Sequence, residues 1–77
     1  MNNTRRKDLK KAMELINEAL EYVNNVLEEE TEAYEKLPEG IQDSERGETM
    51  QECIDALESF VDGFEDYVSE VEEACGL

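Results

Sequence analysis

The chain has 77 residues, of which 22 are acidic, 7 are basic and none is histidine, so its formal net charge is −15. A chain this short makes one domain, whose core is marginal unless a disulfide, a metal or a partner subunit supports it. The charge argues against direct binding to nucleic acid or anionic membranes, since phosphate contacts need Lys or Arg. No apolar run approaches the roughly 18 to 20 residues of a membrane span, and no signal peptide is recognisable, so we expect a soluble, cytoplasmic protein.

The first predicted element is a long amphipathic helix over about residues 4–37. We expect Asn3 or Thr4 to cap its start and Pro38 to end it. Glu30 interrupts its apolar stripe, either because the stripe frays there and the carboxylate reaches solvent, Lys36 or Arg46, or because it sets the register against a partner subunit. The stripe has the heptad spacing of a packed helix and consists of Leu9, Met13, Ile16, Leu20, Val23, Leu27, Tyr34 and Leu37.

A loop over about residues 38–44 and a second helix over about residues 45–75 follow. The segment from Pro38 to Asp43 has turn composition, and Asp43 or Ser44 is expected to cap the second helix. Gly76 stands where a left-handed residue ends a helix. The second stripe repeats the heptad without interruption and consists of Met50, Ile54, Leu57, Val61, Phe64, Val68, Val71 and Cys75.

The two stripes predict an all-α fold, an antiparallel two-helix hairpin of the coiled-coil type in which residues 1–77 form one domain. The register that uses both stripes fully pairs Leu9 with Cys75, Leu20 with Phe64 and Tyr34 with Met50. The alternative register slides the helices by one heptad and leaves Leu9 unpaired.

A third apolar position in each heptad makes the stripe wider than a two-helix seam needs. We take the larger of these residues, Val26, Cys53, Phe60 and Tyr67, as candidate interface residues. Such width is typical of helices in four-helix bundles. The pattern therefore predicts a homodimer of hairpins, and the alternative is a monomeric hairpin that docks its aromatic edge on another protein.

The two cysteines lie too far apart on one helix for an intrachain disulfide, about 33 Å against a limit of roughly 7 Å. Cys53 and Cys75 have no CxxC spacing, histidine or basic flank, which favours small buried apolar residues in a reducing compartment over a redox or metal role. An intermolecular disulfide at a dimer axis is the remaining alternative.

Basic residues cluster at the amino-terminal end of the first helix, where the helix dipole disfavours them. The hairpin is expected to bring the acidic end of the second helix, Glu65 to Glu73, alongside this cluster. Five of the seven basic residues belong to it, namely Arg5, Arg6, Lys7, Lys10 and Lys11.

No catalytic, cofactor or metal motif is recognisable. Without histidine, the usual base of Ser and Cys triads and the Glu-x-x-His ligand pair of di-iron bundles are missing. The segment from Asp43 to Gly47 lacks the ligand spacing of a calcium loop, because Arg46 stands where a carboxylate should be. We expect no enzymatic activity, no cofactor and no metal site.

The segment Leu37–Met50, which reads LPEGIQ-D-SERGETM, resembles a stretch in short acidic uncharacterised helical-hairpin proteins of bacteria and their mobile elements. The resemblance implies a small cytoplasmic coiled-coil protein with no assigned activity. Within this segment, Arg46 and Glu48 are candidate residues of a recognition epitope. A tight helix start that Ser44 caps explains the same residues without an epitope.

Two functions are compatible with these features. The first is a non-enzymatic protein–protein interaction or structural module, an acidic dimeric bundle that binds another protein. A basic protein is the candidate partner. The alternative is an acidic mimic of nucleic acid that blocks a basic DNA- or RNA-binding protein.

Overall fold

The computed structural model describes residues 1–77 and contains three helices, α1 (Asn3–Glu35), α2 (Glu39–Gln42) and α3 (Glu45–Cys75). The two long helices pack against each other along a molecule of 58 × 16 × 13 Å. The chain has no strand. The predicted all-α hairpin is therefore confirmed, whereas its assembly into a four-helix bundle stays a prediction.

The core is a single row of side chains where the two heptad stripes meet. Four apolar side chains of the stripes are buried, those of Leu20, Ile54, Val61 and Val68. The other stripe residues are half-buried, apart from Phe64, whose side chain is 36% exposed. Glu30 is half-buried within the stripe, and its role stays a prediction. Such a thin core is typical of a chain that gains stability from a further packing surface.

The register agrees with the one that uses both stripes fully. Arg6 Nε donates to the main-chain carbonyl of Cys75 at 3.2 Å. Met13, Ile16, Val68 and Val71 line one shallow groove between the helices. Sliding the helices by one heptad would move the end of α3 by about 10 Å and break the bond from Arg6.

The first helix begins and ends slightly earlier than predicted. Asn2, and not Asn3 or Thr4, is the cap, because its extended backbone lets its side-chain oxygen accept from the Arg5 N–H at 2.9 Å. At the other end α1 stops at Glu35, and Lys36 is its C-cap. Pro38 has no N–H with which to continue the helix, so the last carbonyls of α1 find other donors.

The predicted loop contains the helical turn α2, which the sequence analysis did not foresee. The Gln42 side-chain amide donates to the carbonyl of Tyr34, in the last turn of α1, at 3.1 Å and to that of Leu37, just past its end, at 3.2 Å. Gly47 on α3 lies against the Gln42 backbone, and a Cβ added there would come within 2.6 Å of Gln42 Cα. The connection is therefore a packed corner whose backbone segments touch.

The predicted ends of the second helix are correct, although Ser44 acts differently from expectation. Ser44 is the N-cap of α3 with an extended backbone, but its hydroxyl donates to the Ile41 carbonyl and caps no N–H of α3. Gly76 ends the helix in the left-handed conformation, with φ 69° and ψ 41°, and its N–H bonds the Glu72 carbonyl. The left-handed conformation that was predicted for Gly76 is therefore confirmed.

The basic cluster makes its hydrogen bond across the hairpin to a main-chain carbonyl of α3, whereas a carboxylate was the expected partner. Arg6 reaches the Cys75 carbonyl on α3 and the Asn3 side chain on its own helix, both at 3.2 Å. A carbonyl in the last turn of a helix carries the negative end of the helix dipole, so a guanidinium is favourable there. Arg6 therefore ties the start of α1 to the end of α3.

Candidate interaction surface

The four candidate interface residues all lie exposed on the surface of the hairpin. Val26 is 52%, Phe60 46% and Tyr67 62% exposed, and Cys53 is exposed as well. Each occupies the third apolar position of its heptad, which flanks the seam. In an antiparallel pair the corresponding flanking positions of the two helices lie on the same side of the seam. These residues therefore share one side of the hairpin.

Three aromatic rings on α3 stack along this side. The ring centroids of Phe60 and Phe64 are 4.6 Å apart, and those of Phe64 and Tyr67 are 6.1 Å apart with the rings edge to face. Tyr67 also covers Gly63, since a Cβ added at Gly63 would lie 3.9 Å from its ring. These spacings fall in the range in which aromatic pairs attract each other, so the cluster is an ordered surface feature.

The neighbouring row of α1 extends the apolar surface. Leu15 is 53% and Tyr22 is 73% exposed. With Ala19 and Val26 they follow the spacing of a single helix face. Leu15 and Tyr22 are not among the predicted interface residues, which all lie next to the seam, although their spacing from Val26 is readable in the sequence. We call the following six residues the aromatic face: Leu15, Tyr22, Val26, Phe60, Phe64 and Tyr67.

The opposite side of the seam is polar. A shallow groove there is lined by four polar and two apolar residues, namely Lys10, Glu14, Asn17, Glu72, Met13 and Leu77. Six of the eight exposed large apolar side chains of the chain belong to the aromatic face, and the other two are Met1 and Ile41. Large exposed apolar side chains are therefore concentrated on one side, as they are on surfaces that bind a partner.

The two cysteines have different surroundings, and one differs from expectation. Cys75 is half-buried in the stripe, whereas Cys53 is exposed and is not the buried apolar residue that was predicted. Its flanking position explains the difference, because a lone hairpin covers only the seam. Both thiols are free.

The candidate epitope residues Arg46 and Glu48 are exposed in the first turn of α3. The Glu48 N–H donates to the Ser44 carbonyl at 2.9 Å, which is the first main-chain bond of the helix. Both residues lie about 20 Å from Phe60 along the helix axis, given the rise per residue of an α-helix. They form a separate polar end of the molecule, next to the corner.

Neither a membrane span nor a metal cluster is found. No helix combines the length and apolar character that crossing a bilayer requires. No three Cys, Asp or Glu side chains converge in a way that could hold a metal ion.

The comparisons with protein-family models, curated proteins and solved structures find no match to this chain. The resemblance of the segment Leu37–Met50 to acidic hairpin proteins therefore stays a prediction. Any proposal for the function therefore rests on the aromatic face and the distribution of charge.

Proposed function

We propose that the chain is a non-enzymatic protein–protein interaction module that pairs with a second copy of itself through the aromatic face, giving a homodimeric four-helix bundle. The observation that carries this proposal is the concentration of exposed aromatic and aliphatic side chains on one side of a hairpin whose core has only four buried apolar side chains. Covering that side would give each chain the second apolar layer that it lacks.

Homodimers are the commonest assemblies of soluble proteins, and their interface cores are rich in aromatic residues and poor in charge. The aromatic face has both properties. Twenty of the 22 carboxylates are exposed, all but those of Glu30 and Glu72. A bundle with the aromatic face inside would keep its acidic surface outside, where a basic protein could bind it.

The proposal is tested by placing a charge on the aromatic face and comparing it with the same charge elsewhere. Phe60→Glu puts a carboxylate on the aromatic face, and Ser59→Glu puts it one residue away on an exposed position of the outer side. Sedimentation equilibrium at micromolar concentration should show a dimer for the wild type and for Ser59→Glu and a monomer for Phe60→Glu, with helicity checked by circular dichroism.

A wild-type chain that sediments as a monomer, with a melting temperature independent of concentration, would overturn the proposal. Equal effects of the two substitutions would also contradict it, because added charge and not its place on the aromatic face would then govern association.

A further inference from the structure

The aromatic face is centred on the middle of the hairpin. Phe64 lies in the layer that it shares with Leu20, about halfway along the molecule. Phe60 lies one turn from Phe64 toward the corner, and Tyr67 lies one turn toward the chain ends. Because the face is centred, a second copy can cover it in two symmetric ways, with the corners at the same end of the bundle or at opposite ends.

Charge distinguishes these two arrangements. The half of the hairpin nearer the corner, residues 20–64, carries 14 carboxylates and only two basic residues, Lys36 and Arg46. The other half carries 8 carboxylates and the five basic residues of the amino-terminal cluster. With the corners at the same end, the two acidic halves would lie side by side and repel each other. With the corners at opposite ends, each acidic half lies beside the half that holds the basic cluster.

We infer that two copies dock with their corners at opposite ends, aromatic face on aromatic face, around a two-fold axis that passes beside Gly63 and Phe64. The inference rests on the proposed function and adds to it the orientation of the second copy.

The arrangement predicts which residues meet across the interface. Cys53 and Ala74 occupy equivalent flanking positions of α3, and both are exposed. They lie about three turns from the axis on either side, so Cys53 of one copy faces Ala74 of the other. Within one chain the two positions are about 31 Å apart, so a disulfide between them forms only between chains.

The test is disulfide trapping in a chain without Cys75. The variant Cys75→Ser with Ala74→Cys has thiols at both flanking positions, and oxidised glutathione serves as the oxidant at a concentration where sedimentation shows the dimer. We expect most of the chain to run as a covalent dimer on a non-reducing gel. The matched controls carry one of the two thiols, namely Cys75→Ser alone and Cys75→Ser with Ala74→Cys and Cys53→Ser, and both should stay monomeric on that gel.

The outcomes separate the orientation from the proposed function. Trapping of the single-thiol variants would place the corners at the same end and overturn the inference while leaving the dimer intact. A dimer in sedimentation that the two-thiol variant fails to trap would overturn it as well. A wild-type chain without a dimer in sedimentation would overturn the proposed function, and the orientation with it.

Discussion

Gly47 stands at the point of closest approach between the corner and α3. It is a buried residue, and the Gln42 backbone occupies the space where its Cβ would be. Its conformation is helical, so glycine is present for the closeness of the two backbones and not for an unusual φ. Backbone cannot rotate away as a side-chain end can, so a methyl group there forces the corner to shift.

We therefore expect Gly47→Ala to lower the free energy of unfolding by about 1 to 3 kcal/mol. In an ordinary helix position the same change would raise it by about 1 kcal/mol, so the sign of the effect is diagnostic. Urea unfolding followed by circular dichroism, at one fixed protein concentration, measures the change.

Gly40→Ala is the matched control, since Gly40 lies in α2 with no atom within 4 Å of an added Cβ. It should leave stability unchanged or raise it slightly. A stabilising effect of Gly47→Ala would contradict the close approach.

At the scale of elements, the end of α1 depends on a residue from the next element. The last carbonyls of a helix have no partner within the helix. The Gln42 side-chain amide of α2 donates to the Tyr34 carbonyl in the last turn of α1 and to the Leu37 carbonyl just past its end. The end of α3 is completed in the same way by Arg6, which reaches the Cys75 carbonyl. Each end of the hairpin is thus closed by a bond from one helical segment to the terminus of another.

Gln42→Glu replaces the donating amide with a carboxylate that faces two carbonyl oxygens. We expect a loss of about 1 to 3 kcal/mol in the free energy of unfolding, because both carbonyls lose the amide hydrogen bond and repel the new charge. The Tyr34 carbonyl keeps its bond from the Leu37 N–H. Gln51→Glu is the control, with the same chemical change at a side chain that bonds only Asp55, at 2.9 Å. Its loss should be about 0.2 to 0.5 kcal/mol, and equal losses would show that added charge alone lowers stability.

At the scale of the whole molecule, apolar surface and charge occupy different sides. Nearly all carboxylates point to solvent, and the aromatic face gathers most of the exposed apolar side chains. Two chains of charge −15 repel each other, so the proposed dimer forms against that repulsion. The mimicry of nucleic acid by the acidic surface also stays a prediction, which rests on charge alone.

Salt should accordingly strengthen the dimer. Raising sodium chloride from about 0.1 M to 1 M shortens the Debye length from about 10 Å to 3 Å and screens the repulsion between chains. We expect the dissociation constant measured by sedimentation equilibrium to fall several-fold. A dimer that weakens with salt would show that ion pairs, and not the aromatic face, hold the two copies together.

The heptad spacing by itself determined the two long helices, the seam between them and the candidate residues Phe60 and Tyr67, because periodicity along one helix decides which side chains share a face. The left-handed conformation that ends α3 at Gly76 was likewise predictable from the local sequence. The sequence did not determine that Asn2, among three adjacent residues that can cap a helix, is the N-cap, since their capping propensities are nearly equal.

The tertiary structure alone decided the features that depend on segments meeting across the chain. The helical turn α2, the bonds from Gln42 and Arg6 to distant helix ends, and the contact of Gly47 with the Gln42 backbone all arise where the hairpin closes. The net charge is carried in the composition, but only the folded hairpin separates an acidic half from the half that holds the basic cluster, because packing sets which parts of the chain lie side by side.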